Sequence, residues 1–423
     1  MPQSTTASPL RGLLRSPRFR RWALANLFAR LPLTMNLLAL VLVGEQVTGS
    51  LATGATLAGI LTFTSGLLAQ PRGRWLDRRE LRSGLRRDLL LSAVGMLALA
   101  VAAAVRAPVW TLGVLAAVEG VASAALLGGF RALLVPTVSA EEIEPANALD
   151  AVFVEVAFVA GPAVAGGAAL VISPIGVLVV EAAAFAVAAV LLAGLPTRAP
   201  AVDIHRAGPA PLRTRGATSV YLLAPGIGLT LGAWEATMPA RLTTFGWEAA
   251  AAGPLLALTA LGSGLAGLAA ANQRDPLRHG RLLAAVLLLA FAATFVPTAI
   301  APSIVVLGVA LLLVGVPIAP LNALGGLALQ RIVAVPRQAE GFALYPAMIL
   351  IGAGSGQALA GVALRVMTPP TLIMLLAAVP AALGLTVLAA VARRRALGLP
   401  PGVGFPHDPV VVDPAAHLGR ARV

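Results

Sequence analysis

Residues 71–87 read PRGRWLDRRELRSGLRR, with seven arginines, and the chain is apolar on both sides, over 51–70 and 88–105. A helix crossing ~30 Å of hydrocarbon needs about 20 mainly apolar residues. A basic stretch between two runs of that order reads as a connector at a membrane surface, and the reading extends outward in both directions.

The 423 residues are 58% apolar and 12% charged, with a mean hydropathy of +0.88. Soluble domains carry about 25% charged residues, so a soluble fold is excluded. Apolar runs of spanning length fall near 22–43, 51–70, 88–105, 108–130, 150–172, 174–195, 219–240, 249–271, 282–300, 303–328, 341–364 and 370–392. The chain is therefore expected to be all-α, with twelve transmembrane helices. The run at 22–43 exceeds a signal-peptide core and has no clear small-residue cleavage site, so it is read as a retained first span.

All 31 basic residues are arginine. Alternate connectors, counted from the amino terminus, hold 27 of them; the opposite connectors hold only Arg106, Arg241 and Arg365, and Arg30 lies inside a span. Positively charged loops stay on the cytoplasmic side, which predicts that both termini are cytoplasmic. Trp22, Trp110 and Trp247 fall near span ends, where an interfacial aromatic belt would lie. The formal net charge of +13 is spread over these connectors, so no nucleic-acid partner is expected.

Absent residue types narrow the chemistry. Without cysteine there is no disulfide, thiolate nucleophile or zinc–sulfur site. Without lysine there is no P-loop, hence no standard ATP-driven pump within this chain, and no Schiff base. His205, His279, His407 and His417 all fall in connectors or the tail, so neither a metal site nor a cofactor is expected. Glycine-rich LGSGLAGLAA (261–270) lies inside a span and reads as a packing face.

The stretch 196–217 is the longest polar interval between spans and divides them six and six. Ala148, Leu149, Gly161, Ala165 and Gly166 are matched 195 positions later by Ala343, Leu344, Gly356, Ala360 and Gly361, pairing the fifth span with the eleventh. Two pseudo-symmetric six-helix bundles are expected, with a site between them. The divisions are a cytoplasmic segment 1–21, an N-terminal bundle 22–195, a cytoplasmic linker 196–217, a C-terminal bundle 218–393 and a disordered tail 394–423.

Within PRGRWLDRRELRSGLRR, the pattern Gly73-x-x-x-Asp77-Arg78 followed by basic residues resembles the signature loop of the major facilitator superfamily. The resemblance implies that Gly73 allows close helix approach and that Asp77 and Arg78 brace a cytoplasmic gate. Glu80 stands where the family has a second glycine. FVAGPAVAGGAAL (158–170) is similar to the fifth-helix motif of antiporters in that superfamily, through Gly161, Pro162, Gly166 and Gly167, with Ala165 in place of a glycine. This similarity implies an exporter. LAAVEGVASAA (115–125) resembles a fourth-helix motif with Gly120 in place, but Ala116 occupies the position where proton-coupled members carry an arginine.

Ionisable groups in a span cost at least ~2.5 kcal/mol and need a reason. Arg30 and Glu119 fall near the middle of spans one and four, and Glu181 and Glu235 in the outer parts of spans six and seven. Glu119 is a candidate proton carrier whose charge Arg30 would offset; alternatively the two form a static ion pair. Trp234 beside Glu235 suits a cavity for an amphipathic or cationic ligand. Glu181 sits near enough to the rim to face water. Asn36, Asn322 and Gln357 either line the cavity or bridge helices.

These features predict a transporter rather than an enzyme: a proton-coupled exporter of a small organic molecule, working by alternating access as a monomer in a bacterial plasma membrane. Its expected partners are membrane lipids, protons and the small-molecule substrate. An importer or facilitator of the same fold, a non-transporting sensor and an integral membrane enzyme are the alternatives.

Overall fold

The structure is a computed structural model that describes residues 9–197, 210–214, 216–271, 277, 279–334 and 337–397. Most of the linker 196–217, the tail 394–423 from residue 398 onward, the first eight residues of the segment 1–21, and His205, His407 and His417 lie outside the described residues. Among the described residues all regular structure is helical.

Among the described residues, twelve helices are long and apolar enough to cross a membrane. Spans one to six are Pro17–Thr48, Leu51–Asp77, Leu81–Ala104, Val109–Leu134, Ile143–Val171 and Pro174–Leu192. Spans seven to twelve are Ala217–Thr243, Ala249–Ala270, Gly280–Ile300, Ile304–Ile332, Glu340–Ala363 and Pro369–Ala396. The face where span one begins and span twelve ends is called the terminal face, and the opposite one the far face. A short helix, Pro9–Arg15, precedes span one and buries Leu13 completely.

Span ends follow local chemistry. Ser16, Ser50, Ser173 and Ser303 cap spans one, two, six and ten by accepting a bond from a backbone N–H of the first turn. Gly49 ends span one at φ 71°, a left-handed conformation that a side chain disfavours, and its N–H donates to the Glu45 carbonyl at 2.7 Å. Arg241 is in the last turn of span seven, not in a connector; it donates to the carbonyls of Ala299 (3.1 Å) and Ala301 (2.8 Å) at the end of span nine. Spans four and ten are both interrupted, at Ala124–Ala125 and at Val316–Pro317.

Each half packs by the same scheme. Span one lies against spans five and six as span seven lies against eleven and twelve. Spans two and eight contact four and ten, and spans three and nine contact six and twelve. The residue-level match is closer still. Gly161 of span five abuts Thr34 of span one, and their counterparts 195 positions on, Gly356 and Leu229, abut each other. At such glycines an added Cβ would strike the neighbouring helix, so small residues set the helix spacing.

The halves meet along two seams related by this repeat: span two against span eleven, and span five against span eight. On the first seam Gly59 lies against Gly354 and Ala358, and Gly66 against Ile351. At the far face Gly361 approaches Ala52 and Thr56. On the second seam Gly166 lies against Gly253 and Ala250, and Gly253 also against the Pro162 carbonyl.

Trp22 departs from its expected place. It is completely buried rather than interfacial, because its indole N–H donates to the Phe130 carbonyl of span four at 3.0 Å. Trp110 and Trp247 remain exposed near span ends.

Candidate functional site

The charged residues expected to act together are separated. Arg30 does not pair with Glu119; its guanidinium donates to Asp150 of span five at 2.7 Å and to the side-chain Oδ1 of Asn26 at 2.9 Å. The Asn26 amide also donates to Asp150, at 2.9 Å, and Arg131 of span four reaches the second Asp150 oxygen at 3.3 Å. Asp150 thus ties spans one, four and five together, and its buried charge is matched by two guanidiniums. Sequence reading missed it because span five was expected to begin at residue 150, whereas the helix starts at Ile143 and carries Asp150 inside.

Glu119 and Glu181 belong to a different cluster. Both are completely buried within the N-terminal half, so Glu181 does not face water. The charge of Glu119 acts on Glu181. Ser92 of span three faces Glu119, whose carboxyl also fills the space above Gly95. Asn36 of span one, in the amide orientation that satisfies its surroundings, donates to Glu181 at 2.9 Å and to the Pro32 carbonyl at 3.2 Å.

Glu235 differs from both. It is half-buried on span seven between the completely buried Trp234 and Ala236, and no ion pair engages it among the described residues. Span seven touches spans one and two, so Glu235 lies on an element that joins the halves. Gln357 of span eleven is buried and Asn322 of span ten half-buried, each with a side-chain amide oxygen that no donor reaches among the described residues.

At the terminal face, the segment after span two is largely helical. Gly73 has open space where a Cβ would sit, so the close approach expected there occurs instead at Gly66, two turns earlier. Asp77 and Arg78 are exposed, with no side-chain ion pair among the described residues. The charge contact across the halves falls on Arg74, which donates to Glu340 at the start of span eleven at 3.1 Å. Glu340 also accepts from Arg337 at 3.0 Å. Arg72 pairs with Asp88 of span three, and the Arg79 guanidinium lies 4.2 Å from the centre of the Trp75 ring.

The glycines of the fifth span sit at contacts between helices. Gly161 meets span one, Gly166 and Pro162 meet span eight, Ala165 is completely buried, and Gly167 faces open space. Thr34 strengthens the contact of spans one and five by donating to the Ala157 carbonyl at 2.9 Å.

A family model described as Major Facilitator Superfamily matches residues 22–295. Among solved structures, a POT family transporter, PepTSo, superposes with a TM-score of 0.72 at 8% identity, covering 90% of this chain and 99% of that one. The nucleoside transporter NupG (D323A mutant) gives 0.63 at 14% identity, covering 87% and 99%. The human organic anion transporter MFSD10 gives 0.62 at 15%, covering 90% and 100%. At these identities the likeness concerns the fold. No curated protein matches the chain in sequence.

Proposed function

Because the chain belongs to the Major Facilitator Superfamily, we propose that it is a secondary active exporter of a small organic molecule, driven by exchange with protons. Its fold is that of a multi-pass membrane transporter built from two six-helix halves. In our reading the terminal face is cytoplasmic, since 27 of the 31 arginines belong in sequence to alternate connectors counted from the amino terminus, and the membrane is a bacterial plasma membrane. The halves rock about the two seams, opening the space between them to alternate sides.

One observation carries the export reading: the Gly161–Gly167 segment lies at the inter-half seam, where Pro162 and Gly166 meet Gly253. A proline removes one helix hydrogen bond, and facing glycines allow backbone to slide on backbone. That combination supports a hinge where the halves must part. Glu235 is assigned the substrate, as a carboxylate that meets a cationic or amphipathic molecule, with Asn322 and Gln357 as further polar candidates, whereas Asn36 is assigned to holding Glu181. Glu119 is assigned proton coupling. Arg30, held by Asp150, is assigned packing of spans one and five and not coupling.

Proteoliposomes tested with a panel of small organic cations under an imposed pH gradient examine this reading. Wild type is expected to accumulate a substrate against its gradient, and Glu119→Gln to lose accumulation while inserting normally. Full accumulation by Glu119→Gln removes the coupling assignment. Ala116, in the place of the arginine found in proton-coupled relatives, favours a second reading: a facilitator that equilibrates substrate without protons. Transport indifferent to the pH gradient selects it.

A further inference from the structure

Spans two and four cross near the far face at Gly113, where the atoms nearest to the place of a Cβ are the end carbons of Ile60 and Leu57, at 3.6 and 4.0 Å. Beside this crossing lies a cavity of about 360 Å³. Leu57, Ile60 and Val114 make its wall apolar, and the Thr56 hydroxyl, also in the wall, is spent on the Ala52 carbonyl of its own helix at 3.0 Å. Among the described residues its one charged lining group is Arg365, exposed in the connector after span eleven and engaged in no ion pair. Trp110 and Val114, 72% and 55% exposed, leave the cavity open to the surroundings of the bundle. The equivalent crossing of the other half places Gly308 over Leu255 and Leu258, at 3.6 and 3.3 Å. There, 195 positions from Trp110 and from Arg365, stand Val305 and Leu170. The repeat supplies the crossing twice, and the ring and the charge only once.

We propose that this cavity binds one anionic phospholipid from the far-face leaflet, with an acyl chain against Leu57, Ile60 and Val114 and the phosphate on Arg365. An apolar wall open toward the bilayer is filled by hydrocarbon, since water gains no partners there. Trp110, one turn above that wall at the start of span four, marks the depth at which headgroups lie. A guanidinium presents paired N–H donors that match phosphate oxygens, and Arg365 has no carboxylate competing for them. A zwitterionic lipid brings its own ammonium to its phosphate, so a headgroup of net negative charge is the better partner. The lipid touches both halves: Arg365 follows span eleven, the wall belongs to spans two and four, and Thr56 also abuts Gly361 on the first seam. Its occupancy therefore joins the halves at the far end of that seam. Only the membrane-spanning fold is required, with no transported substrate.

Full-length protein is placed in phosphatidylcholine nanodiscs carrying a trace of phosphatidylglycerol or of phosphatidylcholine with a diazirine in the acyl chain. After illumination, labelled residues are mapped by peptide mass spectrometry. The phosphatidylglycerol probe is expected to label residues 57–60 and 110–114 about fivefold more than the phosphatidylcholine probe does, the advantage one arginine near a headgroup confers. Arg365→Gln should reduce that labelling to the phosphatidylcholine level, and Arg365→Lys should keep most of it. Arg106→Gln, in the connector before span four, should leave it unchanged. Gly113→Leu, which fills the cavity, should lower labelling by both probes. Should Gly113→Leu not fold, the substitutions at the exposed Arg365 decide. Unlabelled phosphatidylglycerol should compete and inorganic phosphate should not; competition by phosphate assigns Arg365 to a free anion and overturns the proposal. Equal labelling by the two probes overturns it, as does an excess that survives Arg365→Gln. None of these outcomes bears on the exporter reading, which stands or falls with the transport assay.

Discussion

Gly120 and Gly315 occupy equivalent places in the two halves: Gly120 of span four lies against Leu61 and Thr64 of span two, and Gly315 of span ten against Thr259 and Ser263 of span eight. Thr64 and Thr259 are 195 positions apart, the same offset as the glycines, although the carbonyl each glycine meets most closely, that of Leu61 or of Thr259, is shifted by about one turn between the halves. At both sites an added Cβ would strike a backbone carbonyl, that of Leu61 or of Thr259, which cannot rotate away. Gly120→Ala and Gly315→Ala should each destabilise the protein by about 1–3 kcal/mol, and the double variant by roughly their sum. Gly73→Ala and Gly167→Ala, whose Cβ atoms would meet nothing, should leave the Tm unchanged. Thermal unfolding in detergent checks the set. Unequal costs at Gly120 and Gly315 would count against equivalent packing.

Across the first seam, the ion pair of Arg74 and Glu340 closes the terminal ends of spans two and eleven. Arg74 is 56% exposed, so the pair contributes little to folding, about 0–1 kcal/mol. Its effect should appear in the balance between open and closed seams. Arg74→Ala should leave the Tm nearly unchanged while increasing the rate at which a thiol reagent labels Cys substituted for Ile351. The chain has no cysteine of its own, so the labelling has no background. Unchanged labelling would show that the seam is held by its glycine contacts alone.

The difference between the expected and observed helices explains which residues were legible. Hydropathy marks where lipid touches the chain, and all twelve spans were found that way. It does not mark where backbone hydrogen bonding ends. Span three begins at Leu81 and span five at Ile143, seven residues before their apolar runs in each case, because arginine, glutamate and asparagine are compatible with a helix whether or not lipid surrounds them. Asp88 and Asp150, assigned to the margins, are therefore interior residues that pair with arginines. The glycine repeat at offset 195 was legible because close helix crossings restrict residue size directly. Ion-pair partners were not, since choosing between Glu119 and Asp150 for Arg30 depends on helix rotation, which a single apolar run does not fix.

Asp150 provides a test of that pairing. Replacing it with Asn leaves the buried Arg30 with neutral acceptors only and takes from Arg131 its carboxylate. Breaking a buried ion pair on one side costs about 3–5 kcal/mol. Asp150→Asn should lower the yield and Tm sharply, whereas Arg30→Met combined with Asp150→Leu should recover much of the loss by removing both charges. Size-exclusion profiles and melting curves compare the two. Recovery by Arg30→Met alone would mean that Arg131 satisfies Asp150 without help.

In the function proposed above Glu235 is the acid that meets substrate, and the prediction concerns selectivity. Among the described residues no guanidinium pairs with it, unlike Asp150, and it is half-buried where Glu119 is completely buried. A hydrogen bond to a charged group contributes about 1.5–3 kcal/mol, equivalent to roughly tenfold or more in affinity. Glu235→Gln keeps the shape and the acceptor oxygen but removes the charge. It should therefore raise the KM for a lipophilic cation by about tenfold, with kcat changing less and a neutral analogue of the same size unaffected. Glu235→Asp, which shortens the reach by one methylene, should fall between the two. An equal loss for cation and neutral analogue would assign Glu235 to packing beside Trp234, and the cationic substrate class would fall with it.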